Sequence, residues 1–216
     1  MGGRTATSRE LRCSVLSALL FGACLAVTAT IVDRIAITAG SQVITDSEID
    51  QRIRLTAFEN HDQPSLDLAA RKTAADRLID EKLIEHEMDV GHYPRLNPDE
   101  RGNLVADKPG LDSSLAAYGL TRAELEADLA KQADLLTFVS VRFRPAVQMT
   151  DADIRKFFQT EIQPKLPPGD TRGMEDFRSQ IETKLTGDMA DRDMDTWLKE
   201  QRKRTKIQYL EKDLAP

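Results

Sequence analysis

Cysteine is nearly missing from this chain: of 216 residues only Cys13 and Cys24 carry a thiol, and both fall within the first 29. If those residues are a leader, the remainder has no disulfide, no thiolate nucleophile and no cysteine metal site. Histidine is equally scarce, with His61, His86 and His92 alone. His86 and His92 are six apart with Gly91 between them. A helical zinc pair instead needs two histidines four apart around a glutamate, so Glu85-His86-Glu87 reads as exposed polar surface. No serine or threonine stands on a nucleophile elbow, and no glycine-rich phosphate cradle follows a strand. Gly187-Asp188-Met189-Ala190-Asp191 lacks the glycine and glutamate offsets of a calcium loop. There is no low-complexity tract, heptad array or internal repeat. These absences point away from catalysis, and neither a metal nor a cofactor is expected. Setting residues 1–29 aside leaves 27 basic against 35 acidic side chains, a net charge near −8. Nucleic acid, which needs clustered lysine and arginine, is therefore not an expected partner.

What the first residues do contain is Arg4, Arg9 and Arg12, then an apolar block from Cys13 to small residues around Val27-Thr28-Ala29. That pattern predicts a secretory signal over residues 1–29 and an exported, periplasmic protein over 30–216. Two alternatives share the same residues. No charge occurs between Arg12 and Asp33, so residues 13–32 would also serve as an uncleaved inner-membrane anchor facing the periplasm. Phe21-Gly22-Ala23-Cys24 resembles a lipoprotein cleavage box.

The mature part opens on two short apolar stretches around Gly40-Ser41, spanning Ile31 to Ile44, and closes on another, Thr205 to Leu210. Isolated hairpins are marginal in water, so the closing stretch is expected to complete a small two- or three-stranded antiparallel sheet that joins both termini. Between them the periods are helical. Thr45-Asp46-Ser47-Glu48 is a capping box that starts a first helix, which His61 to Pro64 ends. Ser65 is expected to open a second, carrying Ala75, Leu78, Ile79, Leu83, Ile84 and Met88 until Gly91. Asn97-Pro98-Asp99-Glu100 reads as a cap with proline in the first turn, and a short helix is expected over 112–118. Thr121-Arg122-Ala123-Glu124 is a second capping box, with Leu125, Leu129, Ala133, Leu136, Val139 and Phe143 on one face as far as Pro145. Thr150-Asp151-Ala152-Asp153 opens a further helix, Gln163 to Gly173 is a loop, and a long helix runs from Met174 to about Arg202. The fold class is mainly α, one domain over 30–216.

Several of these segments resemble the helical domain of SurA-type periplasmic chaperones, shared with membrane-anchored parvulin-like foldases and, more distantly, trigger factor. The run Asp33 to Asp50 is similar to that family's first hairpin and helix. Ala74 to Ile84 looks like its second helix, Tyr118-Gly119-Leu120-Thr121 like its glycine-led third element, and Trp197 to Arg202 with the 206–210 strand like its returning C-terminal end. Family members usually insert one or two parvulin prolyl isomerase domains before the final helix, whereas this chain has a short proline-rich loop there. The resemblance implies an ATP-independent chaperone for unfolded or newly secreted outer-membrane proteins, without isomerase activity. Its partners would be unfolded polypeptide clients. The alternatives are a membrane-anchored scaffold binding one folded partner, and a residual prolyl isomerase.

Candidate client-binding residues follow from local apolar excess. Leu135 to Phe143 leaves almost no polar face, so Phe138, Val141 and Phe143 are either core or surface, and Phe157 and Phe158, with Met88 and Tyr93, raise the same question. Glu124, Glu126 and Asp128 are read as solvated helix charge. Lys199, Arg202, Lys203, Arg204 and Lys206 are read as complementing the dipole at a helix C-terminus.

Overall fold

Alternating apolar residues around Gly40 build the hairpin that starts the fold. The computed structural model describes residues 33–216 together with Gly2, so the expected leader, the anchor segment 13–32 and the Ile31-Val32 start of the hairpin lie outside the described residues. Strand β1 (Ile35–Ala39) pairs antiparallel with β2 (Gln42–Thr45), and Gly40 turns the chain with φ 62, a left-handed value that glycine adopts without cost. A bulge between Ile35 and Ile37 lets Ala36 and Ile37 both face inward. The last strand, β3 (Ile207–Tyr209), adds to the other edge of β1 with Ile37 opposite Tyr209, giving the order β2-β1-β3. A small antiparallel sheet thus joins the two ends of the described chain, beside seven α-helices.

Local capping chemistry sets the helix starts. Thr45 and Glu48 form the reciprocal cap of α1 (Asp46–Asn60), which ends on His61 in the left-handed conformation. Helix α2 (Leu68–Val90) begins later than expected. Asp67, not Ser65, is its cap, accepting from the Ala70 N–H at 2.8 Å while Ser65 donates its hydroxyl to Asp67. The ionised carboxylate is the stronger acceptor of the two, which moves the start by two residues. Helices α3 (Pro98–Gly102) and α4 (Leu111–Ala117) are short. Helix α5 (Arg122–Arg142) ends just before a 3-10 turn at Arg144–Ala146. Helix α6 (Asp151–Phe157) widens into one π-helical turn (Phe158–Ile162), and α7 (Met174–Arg204) returns the chain to the sheet.

Helix α2 is the spine. It packs on α1, α7 and both hairpin strands, and Ile37, Ile44, Ile49, Ile79, Met88 and Phe138 are essentially solvent-free in the main core. A second, smaller core gathers Leu55, Leu115, Leu120 and Leu125, with Phe58 edge-on to Tyr118. Because α5 serves both cores, its buried face is not one stripe: Leu125 faces the small core, Phe138 and Val139 the main one, and Leu136 is 70% exposed. Among the described residues no helix is long and apolar enough to cross a membrane.

Charged side chains lock the closure. Arg71, on α2, reaches Asp50 at 2.6 Å, Asp46 at 2.9 Å and Glu211 at 3.0 Å, so one guanidinium links α2, α1 and the segment after β3. Lys72 donates to the Ala215 carbonyl, and Leu214 is buried in the main core. Arg202, expected only to complement the helix dipole, instead ties α7 to Asp76 and Asp80 of α2. Arg71→Ala is expected to lower stability by about 2–3 kcal/mol, since Asp50 and Glu211 lose their ion-pair partner and Asp46 keeps only Arg34. Urea unfolding with amide exchange at Ile207–Tyr209 checks this, and an unchanged midpoint would show that the strand closes without the arginine.

Candidate functional site

Two open grooves beside α6 form the candidate site. Thr150 and Asp153 cap α6 reciprocally, and the helix then lies across the first half of α7. Ile154 and Ile181 are buried there, yet belong to neither the main nor the small core. Helix α6, the π-helical turn and the first half of α7 therefore form an arm with its own apolar centre. Phe158 stacks at a tilt on Phe177 with 5.9 Å between ring centres, and the Arg172 guanidinium covers the other ring region at 4.9 Å. Arg172 is held in turn by Asp170, whose carboxyl its hydrogen bonds keep at about 2. Arg178 bridges Glu175 and Asp151, fixing the start of α6 over α7.

Phe157, half-buried, is the wall shared by two open grooves on the arm. One, about 1450 Å³, adds Ile162, Lys165, Gln180 and Thr183. The other, about 1000 Å³, adds Thr160, Leu185, Met189 and Arg192. Each mixes apolar walls with flexible charged side chains such as Lys184. Chemically the arrangement can bind; it brings no nucleophile, base and oxyanion donor together.

The other candidates separate. Phe138, Phe143 and Met88 are 0%, 7% and 2% exposed, so they are core and are withdrawn from the binding surface. One side of the apolar run of α5, Leu135, Phe138, Val139 and Phe143, packs with residues of α2 and α7 in the main core, while Leu136 and Val141 stay exposed. Tyr93 is half-buried, edge-on to Phe138 at 4.9 Å. Gly91 permits this, because a Cβ there would meet the Tyr93 ring at 2.5 Å. Val141 is 48% exposed and lines none of the grooves described.

Sequence reasoning missed the charged groups inside the body. The Arg142 guanidinium lies 5.3–5.9 Å from the ring centres of Tyr93, Phe138, Phe143 and Trp197, and it donates to Glu87 and to the Tyr93 hydroxyl oxygen. Its signal was a lone charge in the apolar run from Leu135 to Phe143. Asp128, read as solvated helix charge, is 3% exposed and pairs with Arg52 at 2.7 Å, which also holds Glu81 at 2.8 Å. Asp134, equally buried, accepts from the Leu96 N–H and from Arg101, and so pins the segment after α2. Burial pushes the Glu81 carboxyl up, against the opposing pull of Arg52. His86 is exposed, and among the described residues no three His, Cys, Asp or Glu side chains converge as a metal site.

No protein-family model matches the chain, and no curated protein matches it either.

Two measurements follow from this geometry. Phe138→Ala should cost about 3–5 kcal/mol in urea unfolding, whereas Phe157→Ala should cost about 1 kcal/mol or less, and equal losses would make Phe157 a core residue too. Glu81 has a folded-state pKa above the ordinary 4.5, so the folded form binds the proton more tightly. Its contribution to stability is greatest below 4.5 and is lost as pH rises through the raised value. Glu81→Gln should flatten that segment of the stability-versus-pH curve, and an unaltered slope would assign it to other groups.

Proposed function

We propose that this chain is an ATP-independent chaperone that holds unfolded or newly secreted polypeptides in the cell envelope, using a SurA-type helical domain without an isomerase. The arm groove carries the reading. A half-buried phenylalanine and neighbouring aliphatic side chains line open channels on a helical arm that stands apart from both cores. Non-native clients expose the complementary apolar segments, and burying them yields roughly 25 cal/mol per Å² of apolar area. Ordering the client opposes this, which keeps affinity modest and allows release.

Two further observations support the reading. The termini-joining sheet and the capped helices occur in the order that the resemblance implies. Between α6 and α7, where the family carries its isomerase domains, the chain forms one π-helical turn, one 3-10 turn and a loop.

Light scattering of a urea-denatured outer-membrane β-barrel protein, diluted with and without equimolar chain and no nucleotide, tests the proposal. Suppression of aggregation is expected. The double variant Phe157→Ala, Ile162→Ala should lose most of it, about tenfold in the concentration required, while retaining its urea midpoint. No suppression by the unaltered chain would sink the proposal, and undiminished suppression by the variant would move the site off the arm. A prolyl-peptide isomerisation assay should give no rate above background.

A further inference from the structure

We propose that the outer face of the β2-β1-β3 sheet rests on a lipid bilayer containing anionic lipid. This is independent of the arm groove and of the chaperone reading.

The sheet has two unlike faces. Ile37, Ile44 and Ala39 point into the main core, while the alternate residues point away from it. On that second face Thr38 is flanked by Val43 of β2 and Gln208 of β3. Ile35, displaced outward by the bulge, and Leu210, just past β3, complete it. Ile35, Val43 and Leu210 are 42%, 42% and 57% exposed, three large apolar side chains on one small sheet face. Among the described residues no helix covers them: α1 and α2 pack against the hairpin from the inner side, where Ile44 and Ile49 are solvent-free. Buried on one face, the sheet carries on the other an apolar patch of Ile35, Val43 and Leu210 beside the polar Thr38 and Gln208.

Charge and chain length select the medium. Lys206 is exposed in phase with Gln208 and Leu210, and neither it nor the exposed Arg204 has a carboxylate partner among the described residues. Arg34, beside Ile35, pairs through its Nε with Asp46 at 2.7 Å yet keeps its side chain 73% exposed. Of the other nearby carboxylates, Glu211 is turned to Arg71 and Asp33 to Ser47. Cations around an apolar patch suit anionic headgroups over acyl chains. The sequence immediately ahead of β1 is uncharged from Cys13 to Val32, and only Asp33 and Arg34 intervene. The three Cα steps from Val32 to Ile35 span at most about 11 Å. If that uncharged stretch is retained in a bilayer, β1 cannot stand farther than this from the headgroups. A folded protein partner would meet no such constraint.

The test uses the full chain reconstituted into vesicles of phosphatidylethanolamine and phosphatidylglycerol with brominated acyl chains. In a Cys13→Ser, Cys24→Ser background, Val43→Cys, Leu210→Cys or Val90→Cys is labelled with an environment-sensitive fluorophore. Val90 is a matched control: it is 65% exposed and apolar, at the far end of α2, about 30 Å from the turn that holds Arg71. Quenching at positions 43 and 210 is expected to exceed that at 90 by about threefold, and Lys206→Glu with Arg204→Glu should reduce the difference. Equal quenching at all three positions would overturn the proposal, showing a tether without a resting face. Failure of the full chain to associate with the vesicles would overturn it as well. Aggregation suppression by the same unlabelled chain in detergent reports on the arm separately, so the two proposals fail independently.

Discussion

The pairing of Tyr209 with Ile37 closes the described chain on itself, and most of the fold depends on it. Joining residues so distant in sequence is opposed by the entropy of a very long loop, which grows slowly with length but is already several kcal/mol. Three strand residues cannot offset that alone. The closure holds because Arg71 gathers carboxylates from α1 and from the segment beyond β3, Leu214 enters the main core, and Arg202 ties α7 to α2. Helix α2 supplies a partner to every one of these contacts. Its first half is thus an electrostatic clamp, and its second half is a packing surface for Phe138.

Inside the body, charge does a different job. Arg52, Asp128 and Glu81 form a nearly dry cluster in which the Arg52 Nε has no acceptor among the described residues. A buried ion pair gains little over an apolar core of the same shape, because both charges surrender their hydration. What it does provide is register: α1 slipped by one residue on α2 would leave a guanidinium and two carboxylates unpaired. Arg142 acts similarly for the aromatic cluster. Four rings surround one guanidinium, and Glu87 supplies the counter-charge, so the end of α5 can dock on α7 in only one arrangement.

Helix α7 belongs to both parts of the molecule. Its second half puts Ala190, Met194, Trp197 and Leu198 into the main core, while Phe177 and Ile181 of its first half pack in the arm. Rigidity and accessibility are thereby separated along one helix. The body holds the termini and the sheet in place, and the arm presents Phe157 and its grooves without drawing on the core for cover.

Local chemistry was legible in the residues. Capping boxes at Thr45, Thr121 and Thr150, the glycine turn at Gly40 and the helical period of Leu78 to Met88 each depend on neighbours a few positions away, so the starts of α1, α5 and α6, the hairpin and the mainly α class followed from the sequence by itself. Burial did not. Phe138 and Phe157 are the same residue type in similar apolar surroundings, and only the packing of α2 and α7 around one of them makes it core. Asp128 looks like any helix carboxylate until Arg52, on another helix, is brought to 2.7 Å. The partition has a physical cause: hydrogen bonds at turns and caps are decided within a few residues, whereas desolvation is decided by whichever distant segment the fold lays on top.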